Sequence, residues 1–119
     1  MERATALERL FGDSVIVRVL DFLTLARNFD YHKAEIAEHA GVDATSITRV
    51  WPALEKLAIV KPTRTIQRAV MYRLNKESSI VQSLTELSDR IASFRAREGL
   101  KKRIIAKAGR QKRSYDGSI

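Results

Sequence analysis

A chain of 119 residues, 45% hydrophobic and 30% charged with two prolines, is long enough for one compact domain and too apolar to be disordered throughout. The absence of cysteine excludes disulfides, a thiolate nucleophile and sulfur-ligated metal sites, and two histidines, His32 and His39, are few for a metal centre or proton transfer. The formal net charge of +8 is uneven: 13 Lys and Arg stand against 12 Asp and Glu up to Phe94, and 9 against 2 from Arg95 onward, so the chain pairs a nearly neutral body with a basic end.

Glu2 to Phe11 reads as a short helix whose Leu7, Leu10 and Phe11 pack inward and which Gly12 stops. Ser14 is placed to cap the next helix, through Arg27, where Val15, Val19, Phe22, Leu23 and Ala26 share a face that Ile16 and Leu20 widen; this is the central buried helix. Tyr31, in the polar joint that follows, is suited to a very short strand or to covering the core. Lys33 to Ala40 is a two-turn helix with Ile36, Ala37 and Ala40 inward, and Gly41 fits the position after it, where a positive φ is cheap for glycine alone. Val42 crosses into the core and Asp43 caps the helix beyond, so two helices meet across Gly41-Val42-Asp43 at the separation of a helix-turn-helix.

In the second of these helices Ile47, Val50, Trp51, Leu54 and Leu57 recur at spacings of three and four and face inward. The opposite side carries Thr45, Ser46, Thr48, Arg49, Ala53 and Lys56. Short hydroxyl side chains bond to several base edges and arginine pairs in bidentate fashion with guanine, so this face suits the major groove; the plain alternative is a solvated surface. Pro52 lies beyond the first turn and removes the N–H that bonds to the Thr48 carbonyl, which predicts a bend or a division near Trp51; the helix is kept across it because the apolar residues continue in phase through Leu54 and Leu57.

From Ile59 the period changes to that of a hairpin. Ile59 to Lys61 and Ala69 to Leu74 flank Pro62 to Arg68, with Val70, Tyr72 and Leu74 on one face, Pro62 tolerable only at an edge or strand start, and Arg64, Gln67 and Arg68 at or near the projecting end. Ser78 or Ser79 then opens a helix from Ile80 to about Arg97. Its Ile80, Leu84, Leu87, Ile91 and Phe94 follow a 4-3-4-3 spacing, a heptad seam; the plain alternative is packing against its own domain, but the Ser14 to Arg27 helix already serves the core and Val81 supplies a separate edge for packing within the chain, which favours a second copy. Gly99 weakens the helix beyond.

The order of elements, read through AEIAEHAGVDATSITRVWPALEKLAIVKPTRTIQRAVMYRLN, resembles archaeal winged helix-turn-helix transcriptional regulators of the broad ArsR/MarR-like kind over roughly Leu10 to Val81. The resemblance implies a mainly α fold with a small β-hairpin, a winged helix-turn-helix DNA-binding domain over 1–77, a long dimerisation helix over 78–98 and a basic extension over 99–119. It implies a homodimer that binds DNA, and the reading taken from it is a regulator of transcription at a specific double-stranded site, with repression by steric blockage of a promoter as the guess at its mode.

Base reading then falls to Thr45, Ser46, Thr48 and Arg49. Backbone contacts fall to Lys33, Lys56, Arg64, Gln67, Arg68, Lys101, Lys102, Arg103, Lys107, Arg110, Lys112 and Arg113. The chain lacks the cysteines of metal- and thiol-sensing members, and no cofactor or metal is expected. No Gly-rich phosphate loop or paired nucleophile and base points to an enzyme, and no apolar run reaches a membrane span. The first residues, MERATALERLFGD, lack the apolar core of a signal peptide, so a cytoplasmic protein is expected. Two other readings stand beside this one: an architectural or partition-type protein coating DNA with little sequence preference, and a module binding protein or RNA.

Overall fold

A computed structural model describes residues 5–111, with side chains through residue 106. The first helix, α1, spans Ala6–Phe11 and α2 spans Val15–Leu25. A two-residue strand β1, Tyr31–His32, leads into α3, Lys33–Ala40, and α4, Ala44–Lys56. Strands β2, Val60–Ile66, and β3, Ala69–Leu74, form the hairpin, and α5 runs from Ser79 to Gln111. The three strands make an antiparallel sheet ordered β1-β3-β2, so β2 is an edge and tolerates Pro62.

Local chemistry fixes most boundaries. Ser14 Oγ accepts from Val17 N–H at the start of α2, and Asp43 Oδ1 accepts from Ser46 N–H at 2.7 Å to open α4. Gly41 closes α3 at φ 74°, and its N–H and that of Val42 bond back to Glu38 and Ala37 carbonyls. His32 caps α3: its Nδ1 accepts from Glu35 N–H while Glu35 Oε1 accepts from His32 N–H. Composition and periodicity assign this histidine no such task.

Val19, Leu23, Ile36, Ala37, Ile47, Trp51, Leu54, Ile59, Val60, Leu74 and Val81 form the core, drawn from four helices and the hairpin. Tyr72 meets Trp51 edge-on at 4.9 Å, and Phe22 stacks on His39 at 4.9 Å. Asp21 is buried at 6% exposure because its carboxylate accepts from Leu7 and Glu8 N–H groups and from the Thr5 hydroxyl, thereby capping α1 from a neighbouring helix.

Several expectations need correction. The first helix starts at Ala6, and Leu10 and Phe11 point out at 56% and 62% exposure because a helix this short buries one residue, Leu7, between α2 and α5. Leu57 is also exposed, since α4 ends at Lys56 and the chain turns away through Ala58 at φ 55°. As the phase of its apolar residues implies, α4 does continue through Pro52 as one helix, held by Trp51 and Leu54 buried on either side of it. β2 extends to Ile66, leaving Gln67-Arg68 alone as the turn. α5 passes Gly99 without ending: one glycine costs about 1 kcal/mol in a helix, and the good helix formers around it outweigh that.

The result is a winged helix-turn-helix domain, α1 to β3, followed by a long helix. Val81 and Ser88 of α5 are buried against the body, and Arg27 Nη1 and Nη2 on α2 donate to the Asp89 carboxylate at 3.2 and 2.9 Å. No helix among the described residues is long and apolar enough to cross a membrane.

Candidate nucleic-acid interface

The amphipathic pattern of α4 sorts its residues as the spacing requires. Ile47, Trp51 and Leu54 are buried at 2% exposure or less, while Thr45, Thr48, Arg49, Pro52 and Lys56 are exposed on the other side. From Thr45 to Lys56 this strip is about 16 Å long at 1.5 Å per residue, on a helix of the kind that a major groove about 12 Å wide admits. Ser46 is half-buried and bonded to Asp43, so its hydroxyl belongs to the cap as much as to the strip. That hydrogen bonding holds the Asp43 carboxyl below its ordinary range, with the nearby Arg49 charge adding to it.

Gln67 and Arg68 form a two-residue hairpin turn, both at positive φ, 48° and 71°, between the paired residues Ile66 and Ala69. Two left-handed residues in a two-residue loop are the signature of the type I′ turn, whose twist matches that of the strands. The turn thrusts an amide and a guanidinium out at the very tip of the wing. Both side chains are exposed.

The expected backbone contacts separate into groups. Lys56 is exposed at the end of α4. Lys33 is half-buried, with Nζ 5.2 Å from the centre of the Trp51 ring, an attraction of ammonium for the π face. Arg64 lies two residues short of the turn's paired end, with Nε and Nη2 donating to the Asp30 carboxylate at 2.9 and 3.1 Å. Lys101, Lys102 and Arg103 are exposed on the part of α5 that extends past Ser88, some 20 Å from it along the helix. Lys107 and Arg110 lie on the backbone of α5, and their side chains fall outside the described ones; Lys112 and Arg113 lie outside the described residues.

On the α5 seam, Leu84, Leu87 and Ile91 are half-buried and Ile80 and Phe94 are 47% and 58% exposed. The body covers the Val81 and Ser88 edge instead. One helix therefore carries two stripes, one buried within the chain and one half-covered at its middle and exposed at its ends.

Among the described residues no group of three metal-ligating side chains comes together. Sequence reasoning misses Asp30, Asp21 and His32, whose tasks depend on neighbours. Only His32 leaves a local signal, the glutamate three residues on.

No protein-family model matches this sequence, and no curated protein does. Solved structures match the fold. An apo structure of a ZitR mutant from Lactococcus lactis superposes with a TM-score of 0.59 at 18% identity, covering 83% of this chain and 81% of that one. MepR, a transcription regulator of the Staphylococcus aureus multidrug efflux pump MepA, gives 0.57 at 14% identity over 91% and 83%. A further ZitR mutant, solved in complex with DNA, gives 0.54 at 19% identity over 76% and 67%.

Proposed function

We propose that the chain is a homodimeric, sequence-specific double-stranded DNA-binding regulator of transcription of the ArsR/MarR-like kind, acting in the cytoplasm as a repressor that occupies a promoter. The observation that carries the reading is the exposed strip of Thr45, Thr48 and Arg49 at the capped N-terminal half of α4, on a helix whose other face is locked into the core. The wing tip at Gln67-Arg68 supports it as a second point of contact. Likeness in fold to ZitR, one of whose structures holds DNA, supports the choice of duplex DNA over RNA or protein.

In this reading Thr45, Ser46, Thr48 and Arg49 meet base edges, with Arg49 suited to a guanine O6 and N7 pair. Lys33, Lys56, Arg68 and the cations of α5 neutralise phosphates and supply most of the affinity without sequence preference. Leu84, Leu87 and Ile91 join two copies. A two-fold dimer presents two α4 helices to half-sites about 34 Å apart, one turn of duplex, or a multiple of that.

Selection of bound duplexes from a random library at two salt concentrations tests the whole reading. Recovery of an inverted repeat supports it. A pool without a common sequence selects the architectural alternative, in which the same surfaces coat DNA, and no recovered duplex even at low salt removes DNA binding altogether. Repression is tested by transcription from a promoter carrying the recovered site, where added protein must lower the transcript.

A further inference from the structure

Thr63 is the extra residue in the wing's outer strand: Pro62 pairs with Tyr72 and Arg64 with Met71, so the register slips between them. A bulge of this kind bends its strand and raises the local twist, so whatever holds Thr63 and Arg64 fixes the direction in which the distal hairpin leaves the body. One side chain holds both. The Asp30 carboxylate, in the joint between α2 and β1, accepts from the Thr63 hydroxyl at 2.5 Å and from Arg64 Nε and Nη2 at 2.9 and 3.1 Å. Its side chain is 16% exposed against 61% for Arg64, so the anchor is set into the body and the arm lies over it.

We propose that Asp30 is the positioning residue of the wing: it clamps the bulge at Thr63, uses Arg64 as a strut, and so aims Gln67 and Arg68 at the duplex. Arg64 in this arrangement is engaged by Asp30 instead of by phosphate. The inference rests on the DNA-binding reading for its purpose, but the clamp itself belongs to the free protein.

A phosphate-binding Arg64 and a strut Arg64 predict opposite results when Asp30 is changed. Were Arg64 a phosphate ligand, Asp30→Asn would remove a nearby negative charge and tighten binding. As a strut, it loses its anchor.

The experiment combines amide hydrogen exchange of the free protein with duplex affinity for Asp30→Asn, Arg64→Ala, the double variant, and the reversed pair Asp30→Arg with Arg64→Asp. Exchange at Thr65 to Val70 is expected to quicken about threefold to fivefold in each single variant, the scale of one broken charge pair. The double variant should be no worse, the reversed pair should recover protection, and amides of Ile36 and Leu54 should stay at wild-type rates. Affinity should fall by a similar factor in both single variants, and Arg68→Ala should add little in the Asp30→Asn background.

The proposal is overturned if wing exchange is unchanged in Asp30→Asn, or if that variant binds duplex as tightly as wild type while Arg64→Ala alone weakens it and lowers the salt slope by about one. If wild-type protein binds no duplex, the DNA-binding reading fails, and the exchange rates still decide whether Asp30 holds the wing.

Discussion

Asp21 and Asp43 do the same job at different depths, since each carboxylate accepts backbone N–H groups that a helix start leaves free. Asp43 does so within its own turn, and this is legible in the sequence because the cap stands next to its helix. Asp21 reaches α1 across 13 to 16 residues, and Asp30 reaches Thr63 and Arg64 across 33 and 34; pairings at that range leave no local pattern to read. Replacing Asp21 with alanine strands two N–H groups, and urea unfolding should show a loss of about 1–3 kcal/mol for such buried unsatisfied donors, with α1 amides exchanging first. Arg49→Ala should cost about 1–3 kcal/mol of preference for one base pair and leave affinity for scrambled duplex nearly unchanged, as read by paired binding curves. The Arg64 guanidinium, and after it the Thr63 hydroxyl, hold the Asp30 carboxyl down at about 2. A carboxylate depressed on folding stabilises above its unfolded value near 3.9 and loses that contribution as pH falls toward 2. Protection of the wing amides, their exchange measured against the intrinsic rate at each pH, should therefore fall between about pH 4 and pH 2, and Asp30→Asn should remove the step.

At the scale of elements, the wing and α5 make the most specific demands. Gln67 and Arg68 both sit in the left-handed region, which costs an L residue roughly 1–2 kcal/mol, and the favoured pair for such a turn is Asn-Gly. Gln67→Asn with Arg68→Gly should therefore raise stability by about 1 kcal/mol in thermal unfolding while weakening duplex binding, because the tip guanidinium is gone. The absence of that dipeptide is also why the turn is hard to place from sequence, where Pro62 to Arg68 stands as an undivided tip. At Pro52 the apolar phase is the better guide. The missing hydrogen bond is a local penalty, whereas Trp51 and Leu54 are held by the whole core, and burial decides the outcome. On α5, Val81 at 0% exposure and the half-buried Leu87 should respond differently. Leu87→Glu with Ile91→Glu should yield a folded monomer by sedimentation; Val81→Glu should fail to fold, since it buries an unpaired charge.

Over the molecule as a whole, the division between a nearly neutral body and a basic end runs along α5, whose 33 residues make about 50 Å of helix in described residues that extend 68 Å. Composition alone reveals this division. It does not reveal that Arg95 to Gln111 continue a helix, because the glycine at 99 argues against it. Replacing Lys101, Lys102 and Arg103 with alanine should weaken cognate and scrambled duplex alike and reduce the salt slope by about one for each phosphate no longer neutralised. A selective loss on the cognate duplex would instead place those cations at bases.

The seating of Val81 and Ser88, with the bond from Arg27 to Asp89 beside them, packs the first turns of α5 onto the domain it joins. Two copies joined along such rods would behave as a caliper with a stiff hinge, set to one opening. Inserting about five base pairs between the halves of its operator would turn one half to the far side of the double helix, and the cost of recovering contact would fall on twisting the DNA.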